Sequence, residues 1–291
     1  MKIHAFPDSE GLARRVAKVM RAPFAPIAVH RFPDGETLVR VARPAGRQAI
    51  VLRSLDNPNA KIVEVLLAAD ALRQAGARSV VLVCPYLSYM RQDKVFRAGE
   101  PVSQLVIGRI LGASFDRVIT VEPHLHRARD LANVFRCPAE SLSPAAAIAQ
   151  WIRDEGIDGY VAVGPDRESG RLVEEIADLA GLASVVGVKH RLADRTVMVK
   201  FRRRVRAPGA VIVDDIASSG STLMAVIGAL HRMHIHLIYV VVVHALFERG
   251  AMARIRDAGA HRIVSCDTIS HSTNGIEIAP LLAKALIGLK G

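Results

Sequence analysis

Between Gly209 and Leu230 the chain reads GAVIVDDIASSGSTLMAVIGAL, and this stretch narrows the possible folds more than any other. Val211, Ile212 and Val213 form an apolar run that reads as a buried strand. Asp214 and Asp215 follow at once, and then a loop of small residues, Ala217, Ser218, Ser219, Gly220 and Ser221. Thr222 opens a segment whose Leu223, Val226, Ile227 and Leu230 share one helical face. Strand, loop and helix start together make an anion site. The first N–H groups of a helix lack partners within it, and the helix dipole favours negative charge there. Small residues let the backbone close around a phosphate, and the Ser218, Ser219, Ser221 and Thr222 hydroxyls add donors. Two carboxylates would repel a bare phosphate; the vicinal hydroxyls of a ribose phosphate would donate to them. The lysine of a Walker loop is absent. A plain strand-to-helix turn rich in capping residues has the same composition, so the stretch needs support from the remainder of the chain.

Charge alone does not supply that support. The formal net charge is +11, from 39 Lys+Arg against 28 Asp+Glu, which permits nucleic-acid binding. The charge is dispersed apart from Arg202, Arg203 and Arg204, and only 4% of residues are aromatic, so base stacking has little to work with. Substrates carrying several phosphates explain the same excess. With 291 residues, 51% of them hydrophobic, the chain is globular and long enough for two ordinary domains. No run approaches the ~18 apolar residues of a membrane span. The N-terminus, MKIHAFPDSEG, has no apolar signal core. Cys84, Cys137 and Cys266 show no paired spacing; they suit a reducing cytoplasm and give no metal motif.

Strand and helix signals alternate, which sets the class as α/β. Strands are expected at Lys2–Phe6, Thr37–Val41, Ala49–Leu52, Ser79–Cys84, Arg117–Val121, Gly159–Val163, Val185–Val188, Leu237–Val243 and His261–Cys266. Helices are expected at Gly11–Met20, Ile62–Gln74, Ser103–Leu111, Ala145–Glu155, Ala251–Ala258 and Leu281–Leu289. The unit from Ala49 to Cys84 echoes that from Ala210 to Val243: in both, strands about thirty residues apart flank a helix, the spacing of a right-handed crossover. This reads as a diverged internal duplication in which only the second copy keeps a phosphate loop. A Ser/Pro cluster at Ser141 to Pro144 marks a boundary, giving domains 1–142 and 143–291.

The Asp214 to Thr222 loop resembles the phosphoribosyl-pyrophosphate (PRPP) motif shared by type I phosphoribosyltransferases and PRPP synthetases. Other blocks distinguish the two. Arg31-Phe32-Pro33-Asp34-Gly35-Glu36, by itself a turn, is similar to the adenine-contacting loop of the synthetases, which implies that Phe32, Asp34 and Glu36 meet ATP. Arg91-Gln92-Asp93-Lys94, followed by Glu100-Pro101-Val102-Ser103, resembles their ATP-binding segment. Arg and Lys neutralise a polyphosphate, and Gln92 can read an adenine edge; taken alone the block is a charged loop before a helix. The resemblance puts His124 at the place of a magnesium-linked histidine. It also matches Gly164 to Gly170 to an Asp-x-Gly-Gly loop for pyrophosphate and magnesium. There the chain keeps Asp166 and Gly170 but has Glu168 and Ser169 where the glycine pair is expected. Lys189-His190-Arg191 matches the Lys-x-Arg that opens a mobile catalytic flap, here Leu192 to Arg206.

The resemblance therefore implies two similar type I phosphoribosyltransferase-like domains, each a mainly parallel sheet flanked by helices. The implied activity moves the β,γ-diphosphoryl group of magnesium-ATP to the anomeric hydroxyl of ribose 5-phosphate. Lys189 and Arg191 would be catalytic, and Arg91, Gln92, Asp93 and Lys94 would hold ATP. Asp214 and Asp215 would hold the ribose, and Ser218 to Thr222 its phosphate. His124 and Asp166 would serve Mg2+, and a homo-oligomer would share each ATP site between subunits. A type I phosphoribosyltransferase would have no use for the 91–103 block. A non-catalytic regulator acting on nucleic acid would have none for Lys189 and Arg191.

Overall fold

Every strand pairing within the two large sheets is parallel. Parallel neighbours need crossover connections, usually helical, which bury the strands on both faces. The apolar runs obey this: Leu82 and Val83, and Val211 to Val213, have no exposed surface. The computed structural model describes residues 1–125, 130–193, 196–201 and 205–290, and the side chains of 189–193, 196–197 and 290 lie outside that description. So do the expected Arg202, Arg203 and Arg204 cluster and part of the expected flap.

The chain forms two compact units, residues 1–142 with 279–291, and residues 143–278. The first contains β1 (Lys2–Ala5), α1 (Glu10–Met20), β2 (Phe24–Pro26), β3 (Ala28–Arg31), β4 (Thr37–Arg40), β5 (Gln48–Leu52), α2 (Pro58–Gln74), β6 (Ser79–Cys84), α3 (Ser103–Ser114), β7 (Arg117–Val121) and β8 (Ala139–Leu142). The second contains α4 (Ala145–Asp154), β9 (Val161–Gly164), α5 (Gly170–Ala180), β10 (Ala183–Val186), β11 (Val188–Ala193), β12 (Thr196–Lys200), β13 (Gly209–Ala217), α6 (Ser221–His231), β14 (Leu237–Ala245), α7 (Ala251–Asp257), β15 (Arg262–Cys266) and β16 (Asn274–Ile276).

Their sheets run β2-β1-β5-β6-β7-β8 and β10-β9-β13-β14-β15-β16, the same order element for element. Each unit inserts an antiparallel ribbon between its second and third sheet strands, β3–β4 in one and β11–β12 in the other. Each ribbon lies on the helix after the third strand, β4 on α2 and β12 on α6. The duplication read from one strand–helix–strand pair thus extends over whole units.

Three expectations change. Val185 to Val188 is not one strand: β10 ends at Val186, and β11 starts the ribbon at Val188. The break falls at Gly187, where a Cβ would stand 2.5 Å from Val199 Cγ1 and 2.7 Å from the Pro165 carbonyl oxygen, so the close approach needs glycine. Strand β13 does not stop before Asp214 but carries Asp214 and Asp215 onward to Ala217 in register with β14. The closing helix, α8 (Ala279–Ile287), belongs to the first unit rather than to the half that runs on from residue 143.

Helix α8 packs on α1 as α4 packs on α5. Each unit's last strand therefore hands the chain to a helix of the other unit, β8 to α4 and β16 to α8. The α8 side chains Leu282, Ala283 and Leu286 are fully buried, as are Ala13 and Val16 of α1. Leu282→Ala is expected to lower the unfolding free energy by about 2–5 kcal/mol, as for other buried leucines. Urea titration of the purified chain measures it, and an unchanged midpoint would place α8 outside the packed fold.

Candidate active site

Open parallel sheets bind ligands beyond the carboxyl ends of their strands. In the second unit the connections after β9, β10, β13, β14 and β15 emerge at that edge. After β13 comes the small-residue loop. The Asp214 and Asp215 carboxylates are half-buried and turned along the chain: Asp215 N donates to Asp214 Oδ1 (3.1 Å), and Ile216 N donates to Asp215 Oδ1 (2.8 Å). Gly220 then takes a left-handed backbone, φ 78°, and α6 begins. Gly220 offers no capping side chain, the first helical N–H, of Ser221, donates to Ser219 Oγ (3.4 Å), and the first internal bond runs from Met224 N to Gly220 O (2.9 Å). The Ser219 and Ser221 hydroxyls stand 3.2 Å apart at the helix start. The first N–H groups of α6 thus have no partner within the helix, and Asp214 and Asp215 stand on the strand that leads into it.

The loop after β9 carries Asp166. Its Oδ1 accepts from Glu168 N (3.1 Å), and the Ser169 hydroxyl donates to the Asp166 carbonyl (2.8 Å). Ser169 is buried, so its departure from the family's glycine closes the loop internally. In the ribbon, Lys189 pairs with Val199 and Arg191 with Val197. Val199 joins the core around Leu223, Val226 and Ile227, which ties the ribbon to α6. The Lys189 and Arg191 side chains lie outside the described residues.

The first unit presents different chemistry. The β3–β4 turn closes through Phe32 N to Glu36 O (2.8 Å), Gly35 N to Phe32 O (3.0 Å) and Glu36 N to Asp34 Oδ1 (3.1 Å). Phe32 is 40% exposed and stands edge-on to His30. Between β6 and α3 a cavity of about 500 Å³ is lined by Gln92, Lys94, Phe96, Arg97, Glu100 and Ser103 among others. That volume suits a nucleotide-sized ligand. Ser103 Oγ donates to Gln92 Oε1, and Glu100 Oε2 accepts from the N–H groups of Phe96 (3.2 Å) and Arg97 (2.9 Å). Lys94 Nζ lies over the Phe96 ring at 5.0 Å. Arg91, Asp93 and the turn residues Phe32, Asp34 and Glu36 do not line this cavity. Phe96 and Arg97 were not singled out from the sequence, although both lie inside the quoted block.

After β7 the backbone turns sharply, with φ 38° at Glu122 and φ 51° at His124. Left-handed conformations cost L-residues about 1–2 kcal/mol each, and such strain clusters at functional positions. His124 and Asp166 belong to different units. Among the described residues no three His, Cys, Asp or Glu side chains converge as a metal cluster.

Where the second unit has its Asp pair, the first has Arg53 directly after β5. Arg53 is buried, with Nη1 2.5 Å from Glu64 Oε2 and both Nε and Nη2 3.2 Å from Asp8 Oδ2. Its guanidinium lies 3.9 Å over the Phe6 ring. Lys61 Nζ reaches Asp8 (2.9 Å) and Asp56 (2.8 Å). Burial raises the Asp8 pKa, but the Lys61 hydrogen bond and the Arg53 and Lys61 charges outweigh it and hold the carboxyl below its ordinary value. Asp8 follows β1 in a Pro-Asp turn, as Asp166 follows β9. That Pro7-Asp8 and Pro165-Asp166 match was a readable signal of the duplication, passed over in the sequence.

Fold and loop together define a protein of the phosphoribosyltransferase type with its unit doubled. A sequence profile for the N-terminal domain of ribose phosphate pyrophosphokinase matches residues 1–114, and one for the phosphoribosyl transferase domain matches 139–281. The chain is 34% identical to a ribose-phosphate pyrophosphokinase of Methanopyrus kandleri, with 97% of this chain and 98% of that one covered. It is 32% identical to the enzyme of the same name from Methanosarcina mazei, covering 99% and 96%. A phosphoribosylpyrophosphate synthetase from Mycobacterium smegmatis has the same fold, with a TM-score of 0.86 at 24% identity over 99% of this chain and 98% of that one. The chain belongs to the ribose-phosphate pyrophosphokinase family.

Loop geometry rests on Gly220. A Cβ there would meet Ile255 Cδ1 at 2.7 Å, in a backbone region that disfavours side chains. Gly220→Ala should lower stability by about 1–2 kcal/mol from the backbone alone. Denaturant melts of the two proteins test this, and coincident curves would contradict the left-handed loop.

Proposed function

We infer that this chain is a ribose-phosphate diphosphokinase, converting ATP and ribose 5-phosphate into PRPP and AMP. One observation carries the choice over a phosphoribosyltransferase. Two units share one topology, and among the described residues the Asp214–Asp215 pair with its small-residue loop stands in the second. The corresponding place in the first is filled by the Arg53–Asp8–Glu64 ion network. The first unit instead offers the basic cavity around Gln92 and Lys94, which suits a second, different phosphorylated substrate.

In this reading the anomeric oxygen of ribose 5-phosphate bonds to the β-phosphorus of ATP. The bond from that phosphorus to the α,β-bridging oxygen breaks, AMP leaves with that oxygen, and the anomeric hydroxyl loses its proton to water. Such a transfer asks for positioning and charge neutralisation. Asp214 and Asp215 receive the ribose hydroxyls, and the Ser218 to Thr222 loop receives the 5-phosphate. Gln92 and Lys94 hold the nucleotide, with Arg91 and Asp93 beside them in sequence, and Phe32, Asp34 and Glu36 grip adenine. Lys189 and Arg191 stabilise charge on the transferring group. Magnesium bound with ATP would neutralise charge on its phosphates. An ion carried in this way needs only one or two carboxylates and water from the protein. Asp166 offers a carboxylate, and His124 fits a water-mediated contact.

The deciding experiment is AMP formation from ATP and ribose 5-phosphate by the purified chain; a chain that makes none is not this enzyme. Lys189→Ala and Arg191→Ala should each lower kcat by roughly 10²–10³-fold, as when a charge-stabilising donor is lost, with KM values little changed. Near-normal kcat in both variants would remove them from the mechanism.

We further propose that the adenine-gripping turn serves the site of a neighbouring subunit in a homo-oligomer. Phe32 lies on a ribbon tip and does not line the chain's own 92–103 cavity. Phe32→Ala and Lys189→Ala should then be nearly inactive alone and regain activity when co-expressed, because some mixed sites take both intact parts. Doubly tagged mixed oligomers without recovered AMP production would assign the whole site to one chain.

A further inference from the structure

The phosphate loop is held from behind by the connection that leads from β14 into α7. Three successive carbonyls are engaged. Leu246 N donates to Ala217 O (3.0 Å), Glu248 N donates to Ser218 O (3.1 Å), and Arg254 Nη2 donates to Ser219 O (3.2 Å). A fourth bond runs the other way, from Ser218 Oγ to Glu248 Oε1 (3.0 Å). In a planar trans peptide the carbonyl of one residue and the N–H of the next point in opposite directions. Fixing the carbonyls of residues 217, 218 and 219 toward this connection therefore turns the N–H groups of Ser218, Ser219 and Gly220 away from it. The Gly220 N–H precedes the first turn of α6, where the Ser219 and Ser221 hydroxyls stand 3.2 Å apart.

Arg254 is the member that reaches furthest. It stands on α7, one turn beyond the helix start, and its guanidinium lies back over Gly250. A Cβ on Gly250 would come within 3.2 Å of Nη1. The third carbonyl is the one next to Gly220, whose left-handed turn sets the first N–H groups of α6. A cation bound to the back of a peptide also polarises its N–H, which strengthens the hydrogen bond made on the opposite side. Glu248 meanwhile draws the Ser218 hydroxyl to the rear, leaving the backbone donors and the later hydroxyls to meet the ligand.

We propose that Arg254 is a positioning residue for sugar-phosphate binding, acting through the Ser219 carbonyl without touching the substrate. It aims the Gly220 N–H at the 5-phosphate and thereby sets affinity for ribose 5-phosphate but not for ATP. The proposal rests on the ribose 5-phosphate reading of the loop, so wild-type AMP formation is measured first, on the full chain.

Arg254→Ala should then raise the KM for ribose 5-phosphate about tenfold, the size of one lost charge-assisted hydrogen bond. The kcat and the KM for ATP should move by less than about twofold. Arg254→Lys keeps the charge and one donor and should fall between the two proteins. A merely structural role would shift both KM values together and lower the melting temperature in step. If Arg254→Ala does not fold, Arg254→Lys carries the test through a selective rise in the same KM. An unchanged KM for ribose 5-phosphate in either folded variant, or an equal rise for both substrates, overturns the proposal. If the wild type forms no AMP, the functional reading falls separately. Calorimetric titration of ribose 5-phosphate alone then decides: tighter binding by wild type than by Arg254→Ala supports the frame, and equal affinities or no wild-type binding overturn it.

Discussion

Parallel pairing is the constraint on which the rest depends. A parallel strand cannot turn back into its neighbour, so each must hand the chain to a connection at its carboxyl end. In each sheet those handovers gather along one edge, where helix starts bring unpaired N–H donors. The Asp166 turn, the Asp214 to Ser221 loop and the Leu246 to Arg254 connection all arise this way in the second unit. In the first, the Asp8 turn, Arg53 and the segment around Gln92 do so. The chemistry is local, but its gathering is a property of the sheet.

The two units use that edge oppositely, for a reason rooted in solvation. Asp214 and Asp215 stay half-buried at the end of β13, and each accepts a bond from the next backbone N–H. Glu64 has no exposed surface and Arg53 almost none. Buried charges are tolerable only when paired, so Arg53 is matched by Glu64 and Asp8 and cannot serve a substrate as well. A site can fill with its own ions or stay ready for those of a ligand. The duplicated fold places a buried, paired ion network in one copy and half-buried carboxylates at the same point of the other.

How much of this was legible in the sequence follows the range of the interactions. The Gly209 to Leu230 stretch was readable because strand, loop and helix start are neighbours in the chain. The α/β class followed from apolar runs separated by helical faces. What escaped reading depends on contacts distant in sequence. Nothing near Gly187 announces that Val199 and the Pro165 carbonyl crowd it, so β10 and β11 read as one strand. Asp214 and Asp215 look like loop residues until β14 holds them in register. Arg254 lies more than thirty residues beyond Ser219, and its role follows only from the carbonyl it meets. The Lys189 and Arg191 assignments rest on resemblance alone.

The exchange of helices between the units has a consequence for how the chain is made. During synthesis the strands of the first unit leave the ribosome early, but α8, which covers α1, is translated after every strand of both sheets. The part of α1 that α8 covers stays uncovered until residue 279 has been made, while α4, made earlier, is already there for α5. Nascent chains with uncovered apolar surface are prone to aggregation. The order of assembly is thereby reversed from the order of synthesis: the unit begun first is finished last, and no chain stopped short of residue 279 can complete it.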